Sequence, residues 1–125
     1  MEKESHNLGK IEVLSKDIFI ERNKNPNIPI EYRQWNKLTF DEANQIAEEM
    51  GNGWRLPTMK EIIFLQQYSD LNILNLKEAY WVSEGLPEDE IILDTGSNYA
   101  YYFNIKRRGG IPKTERIKAR LVRSI

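Results

Sequence analysis

Twice in close succession the chain carries the same start signal for a helix. A threonine is followed three residues later by a glutamate: Thr39 with Glu42, then Thr58 with Glu61. In such a capping box each side chain satisfies a backbone amide that the first helical turn leaves without a partner. Behind the first box, Phe40, Ala43, Ile46, Ala47 and Met50 recur at helical spacing, with Asp41, Glu42, Glu48 and Glu49 outside that stripe. Gly51 stands where a left-handed helix end wants glycine. Behind the second box Ile62, Leu65 and Tyr68 line one face, and the helix is expected to end near Ser69 and Asp70. Two helices with one apolar stripe each need a partner layer to cover it.

The flanking stretches supply that layer as strands. Residues 10–14 and 17–21 are apolar and β-branched, and the expectation is two strands joined by a turn near Ser15 and Lys16. Residues 22–29 are rich in Asn and Pro and read as a loop, with a short strand resuming over 30–35. Residues 79–83 have the aromatic, apolar character of a strand in the middle of a sheet. An acidic loop over 85–90 and a short strand over 91–93 follow. Residues 99–106 alternate, with Tyr101, Phe103 and Ile105 on one face and Tyr102, Asn104 and Lys106 on the other. Arg108, Gly109 and Gly110 read as a loop, and a last strand runs through Ile117, Ala119 and Leu121. These two final strands are expected to form one antiparallel hairpin. The fold class is α+β: two helices packed on a twisted, mostly antiparallel sheet in a single domain over 1–125, with residues 1–9 flexible.

A composition of 40% hydrophobic and 30% charged residues is that of a folded chain, too apolar for a disordered one. There is no cysteine, which excludes disulfides, thiolate metal sites and a cysteine nucleophile. The first ten residues are polar, so no signal peptide is expected, and no run approaches the ~20 apolar residues of a membrane span. A cytoplasmic location is the default expectation, with export to a cell surface or on a phage by another route left open.

The segment Gly53-Trp54-Arg55-Leu56-Pro57-Thr58, followed by Glu61, is the most informative stretch. Trp54 and Leu56 should alternate into the core, Pro57 halts the extended run and Thr58 caps the next helix. Arg55, between buried neighbours, should find carboxylate or carbonyl partners near the surface. The pattern resembles a bacterial family with the C-type-lectin-like fold, the Lcl-type C-terminal domains, relatives of the formylglycine-generating-enzyme fold. Other pieces of that family recur in order. Phe40-Asp41-Glu42-Ala43 precedes the segment, and Tyr80-Trp81-Val82-Ser83 follows it. An aromatic strand over 99–103 and the closing Ala119-Arg120-Leu121-Val122-Arg123 complete the set. Together they cover roughly residues 38–123. Two departures stand out: Leu121 replaces the cysteine usual in the last strand, and the acidic loop is short. The resemblance implies a C-type-lectin-like scaffold on which Trp54, Arg55, Leu56, Pro57, Thr58, Glu61 and Trp81 are structural.

No catalytic constellation is legible, and the expectation is that the chain is not an enzyme. Its single histidine, His6, lies in the polar N-terminal segment, and the oxidase chemistry of the wider fold needs cysteines that are absent. No cofactor or metal is expected. The Glu-Pro-Asn and Trp-Asn-Asp patterns of calcium-dependent sugar binding do not occur, although Glu84, Glu88, Asp89, Glu90 and Asp94 could supply hard oxygen ligands.

Charge is placed unevenly. Residues 104–125 hold eight bases against one acid, +7, which leaves −8 on the rest of a chain whose net charge is −1. The simpler reading is that the two halves neutralise each other in the fold. The alternative is an intracellular module that binds an anionic partner, nucleic acid or acidic protein, through a basic C-terminal hairpin. An overall pI near 5.9 argues against a dedicated nucleic-acid binder. The preferred expectation is recognition of a protein or surface glycan by loops on a rigid scaffold, over residues 85–90, 94–98 and 107–114. Tyr99, Tyr102, Arg107 and Arg108 are the candidate contact residues.

Overall fold

The computed structural model describes residues 4–71, 73–75, 77–85 and 98–125. It is α+β, with three helices and antiparallel pairing between its strands. Strand β1 (Ser5–Asn7) pairs with β2 (Ile11–Leu14), and β2 pairs on its other side with β8 (Val122–Ser124). The polar start of the chain gives no strand signal, yet its backbone pairs: Ser5 lies opposite Leu14 and Asn7 opposite Glu12.

Residues 17–21 and 30–35 are organised differently from the expectation. Strand β3 is reduced to Ile20–Glu21 and pairs with β4, Gln34–Trp35, rather than with its neighbour across the turn. Residues Ile30–Arg33 form one helical turn, α1, entered from Pro29, and that turn buries no residue. Proline at its start has the φ a helix needs and lacks only an N–H that the first turn could not use.

The two capped helices form as their sequences specify. Helix α2 spans Phe40–Met50, and in its box Thr39 Oγ1 accepts from the Glu42 N–H at 3.2 Å while the Glu42 carboxylate accepts from the Thr39 N–H at 2.9 Å. Gly51 ends it with φ of +63°, a conformation that costs glycine nothing. Helix α3 spans Met59–Leu65 behind the same reciprocal pair at Thr58 and Glu61, and a 3₁₀ turn carries on over Gln66–Leu71.

Strand β5 (Tyr80–Val82) is buried throughout and pairs with β6 (Tyr99–Asn104). The expected hairpin of β6 with the last strand is not formed. Instead β6 turns at Ile105 and Lys106 straight into β7, Arg107–Pro112, with Asn104 opposite Arg107 and Tyr101 opposite Gly110. Asn104 makes this turn, because its Oδ1 accepts the Lys106 N–H at 3.0 Å. Gly109 and Gly110 are therefore strand residues, not a loop. The ring of Tyr102 covers Gly109, its Cε1 lying 3.8 Å from where a Cβ would stand.

The closing segment stitches the sheets together. Ile117 pairs with Leu38, Lys118 bridges Tyr80 in the parallel sense, and the carbonyls of Ala119 and Leu121 accept from Ile18 and Leu14, each at 3.0 Å. This layer separates two cores by simple strand alternation. Tyr80, Val82, Tyr101, Phe103 and Val122 face α3 with Met59, Ile62 and Leu65. Trp81, Ala100 and Leu121 face α2 with Ala43 and Ala47. Ala43, Leu56, Ile62, Leu65, Trp81, Phe103 and Leu121 are buried, while Phe40, Ile46 and Trp54, which the patterns also pointed inward, are partly exposed at the rim of the core.

Candidate functional site

The Trp-Arg-Leu-Pro-Thr segment is built into the scaffold. Arg55 pairs in the backbone with Val122, which points Leu56 into the core and leaves the guanidinium at the rim. Both terminal nitrogens reach Glu61, at 2.7 and 2.8 Å, and Arg55 also donates to the Leu56 carbonyl and the Ser124 hydroxyl. These hydrogen bonds hold the Glu61 carboxyl below its ordinary range, against the upward push of burial. Trp54 lies under the Arg123 guanidinium, 4.5 Å from the ring centroid. Trp81 is fully buried, donates its indole N–H to the Leu38 carbonyl at 2.7 Å and meets Phe40 edge-on.

The basic tail meets the acidic remainder of the chain. Arg123 lies opposite Glu12 across β8 and β2 and binds it at 2.7 Å. Arg116 reaches Glu42 at 2.6 Å, and Arg120 reaches Asp17 at 2.8 Å. Lys118 sits between Asp17 and Glu78, at 3.6 and 4.0 Å. Arg116, Lys118, Arg120 and Arg123 thus each meet an acid from the earlier part of the chain, so part of the charge asymmetry of the sequence is internal to the fold.

The four candidate contact residues do not form one surface. The register places Tyr99 and Arg108 on the face of the β6–β7 hairpin that carries Phe103, and Tyr102 and Arg107 on the opposite face. Tyr99 is exposed, whereas Tyr102 is partly covered and serves Gly109. The expected loop over 107–114 is mostly strand. The expected loops over 85–90 and 94–98 lie, apart from Gly85 and Asn98, outside the described residues, as do the expected strand over 91–93 and Glu88, Asp89, Glu90 and Asp94. Among the described residues no three His, Cys, Asp or Glu side chains gather as metal ligands.

A different surface stands out. The excursion from β3 to β4 exposes Ile30 (53%), Tyr32 (66%) and Trp35 (45%) close together in sequence. A cleft of about 550 Å³ opens between it and the turn after β2, lined among others by Lys16, Asp17, Phe19, Ile30 and Arg120. A second concavity of about 380 Å³ is lined among others by Trp35, Lys37 and Arg116. Glu31, Gln34 and Asn36 line both concavities. The side chains of these three make no hydrogen bond or ion pair to any described residue. Arg22 and Arg116 share the Glu42 carboxylate at 3.3 and 2.6 Å, and Arg22 stacks 4.4 Å from the centroid of Trp35. The sequence carried one signal for this place, namely three large apolar residues, Ile30, Tyr32 and Trp35, spaced at neither strand nor helix period beside a polar loop. The convergence with Asp17 and Arg120 is a tertiary fact that no local pattern reports.

No family model matches the sequence, and no curated protein matches it. Among the described residues no helix is long and apolar enough to cross a membrane.

Proposed function

We propose that this chain is a non-enzymatic recognition module of the C-type-lectin-like kind, taking a protein or a surface glycan on a rigid α+β scaffold. One observation carries the reading: Glu31, Gln34 and Asn36 line two neighbouring concavities while their side chains make no hydrogen bond or ion pair to any described residue. By contrast, the polar side chains of the Trp-Arg-Leu-Pro-Thr segment and of the closing strand are bound to one another and to backbone. Polar groups placed in a concavity without structural duties are what orient a ligand. The likeness to the Lcl-type domains supports the same reading through Phe40-Asp41-Glu42-Ala43 and Tyr80-Trp81-Val82-Ser83, which here bring Phe40 edge-on to Trp81.

The test is a pull-down with tagged protein from cell lysate and from envelope material, repeated with a chelator and with raised salt. Retention of one identified protein or glycan in stoichiometric amount under both conditions is the expected result. Capture of nucleic acid or acidic material alone, lost in salt, would overturn it in favour of an anionic partner on the basic C-terminal residues.

A further inference from the structure

We infer that the surface over residues 15–22 and 30–37 binds an acidic, partly apolar peptide segment of a protein partner. The assignment rests on the recognition role proposed above and gives it a site and a partner chemistry.

The ion pairs around the two concavities leave cations in excess. Glu42 is shared by Arg22 and Arg116, at 3.3 and 2.6 Å. Asp17 is shared by Arg120 and Lys118, at 2.8 and 3.6 Å, and Glu78 by Lys118 and Lys37, each at 4.0 Å. Five cations therefore meet three carboxylates. Lys16 and Glu31, which also line the first concavity, cancel one another and leave that surplus in place. The Glu42 carboxylate is divided further, because its Oε1 accepts both from Arg116 and from the Thr39 N–H at the start of α2. Arg22 and Arg116 each give one terminal nitrogen to Glu42, and their other N–H groups have no hydrogen-bond acceptor among the described residues. A second carboxylate is the acceptor such a pair of guanidinium groups matches.

Trp35 fixes where these donors lie. The Arg22 guanidinium stands 4.4 Å from its ring centroid and that of Arg116 6.0 Å. A guanidinium stacked on a ring turns its N–H edge, not its face, toward a ligand. The same stacking covers the indole face on which a nucleic-acid base would lie, so the cluster is a poor platform for a single strand.

Apolar surface adjoins the cations. Phe19 and Ile30 are exposed on the first concavity, Trp35 on the second, and Tyr32 on α1 between them in sequence. A small inorganic anion has no use for that surface, whereas a peptide carries apolar and acidic side chains together. An aliphatic or aromatic side chain of the partner fills the concavity that Phe19 and Ile30 line. Its acidic neighbours then reach Arg22, Arg116 and Lys37. The amides of Gln34 and Asn36 each donate and accept, as the backbone of a bound peptide requires. Glu31, the one lining acid without an ion pair among the described residues, opposes an acidic ligand, so removing its charge should tighten binding.

The experiment selects random peptides displayed on phage against the intact protein and titrates the enriched peptides, fluorescently labelled, by anisotropy. The expected peptides combine Asp or Glu with an aliphatic or aromatic residue. Arg22→Gln/Lys37→Gln is expected to weaken their binding about tenfold or more, and Glu31→Gln to tighten it about threefold. Both cations belong to surface ion pairs whose loss costs little stability, and Lys37→Gln alone, at a side chain 59% exposed, repeats the comparison if the double variant does not fold. Raised salt weakens the wild-type complex severalfold without abolishing it, because the apolar contacts are not screened. Recovery of no peptide, of peptides without an excess of acidic residues, or of peptides that bind the charge variants as tightly as wild type overturns the acidic-segment site. Tighter binding of labelled oligothymidylate than of the acidic peptides, lost in the double variant, overturns it in favour of nucleic acid. If the pull-down still retains an identified protein or glycan, the recognition role stands and this assignment alone falls. If nothing is retained there and no peptide is selected, both fall.

Discussion

Glu61 binds both terminal nitrogens of Arg55, and one of the two oxygens involved, Oε1, also receives the backbone N–H of Thr58 at 2.9 Å. One carboxylate thereby starts helix α3 and ties it to the strand before it. Removing it disturbs a helix cap and a two-pronged ion pair together. Glu61→Ala is expected to cost about 2 kcal/mol in urea unfolding, and Glu61→Gln, which can still cap, about 1 kcal/mol. Equal losses for the two variants would mean that the ion pair carries the whole effect.

The same contacts set the response to acid. Hydrogen bonds from Arg55 hold the Glu61 carboxyl below its ordinary value of 4.5, although burial opposes them. Burial also raises Glu42, yet the Thr39 amide and Arg116 outweigh it, and Ser5 with Arg123 lowers Glu12. For groups whose folded pKa is depressed, the unfolded chain takes up protons first as pH falls. The stabilisation they give is therefore complete well above 4.5 and is lost as pH drops through their folded pKa values. Unfolding midpoints measured from pH 6 downward should fall below about pH 4.5, and Glu61→Gln should flatten that fall. An unchanged slope in the variant would remove Glu61 from the account.

What could be read in advance follows the range of the contacts. Both helices were legible because a capping box is a contact three residues long, and Gly51 and the Phe40 to Met50 stripe are equally local. The last hairpin was not. Residues 99–104 could pair with 107–112 or with the strand that closes the chain, and Gly109-Gly110 suggested a turn. The side chain that makes the turn is Asn104, whose role depends on the Lys106 amide. Helix α1 was missed because Ile30 and Tyr32 favour strands in general, while Pro29 and local chain direction decide the single turn. The cleft was invisible for a deeper reason: its lining comes from residues 15–19, 30–36 and 120, joined only once the closing strand is in place.

The two tryptophans of the family-like pattern should differ in what they contribute. Trp81 is wholly enclosed between α2 and the closing strand and makes a buried hydrogen bond to Leu38. Trp54 lies at the rim, one face under Arg123. Trp81→Ala is expected to cost about 3–5 kcal/mol. Trp54→Ala is expected to cost about 1–2 kcal/mol from reduced burial and the lost cation–π contact. Thermal or urea melts of the two single variants decide it, and a Trp54 loss as large as that of Trp81 would contradict the placement.

Arg120 is the one buried charged residue among the described ones, at 5% exposure. It donates to Asp17 through Nε at 2.9 Å, with Nη2 in ion-pair contact at 2.8 Å, and through Nη1 to the carbonyls of Leu14 and Ile73. Asp17 and two backbone carbonyls thus hold the guanidinium from two sides, where the closing strand lines the cleft. Asp17→Ala leaves a buried cation without its counter-charge, and a loss of about 3–5 kcal/mol is expected. Arg120→Met in the same chain replaces that cation by an apolar side chain of similar length, so the double variant should be more stable than Asp17→Ala alone. Lys118, 3.6 Å from Asp17, cannot replace the lost acid, since it is itself a cation. A urea series on wild type, the two single variants and the double variant measures the coupling. Additive losses would show that the fold holds Arg120 by its carbonyl partners and not by Asp17.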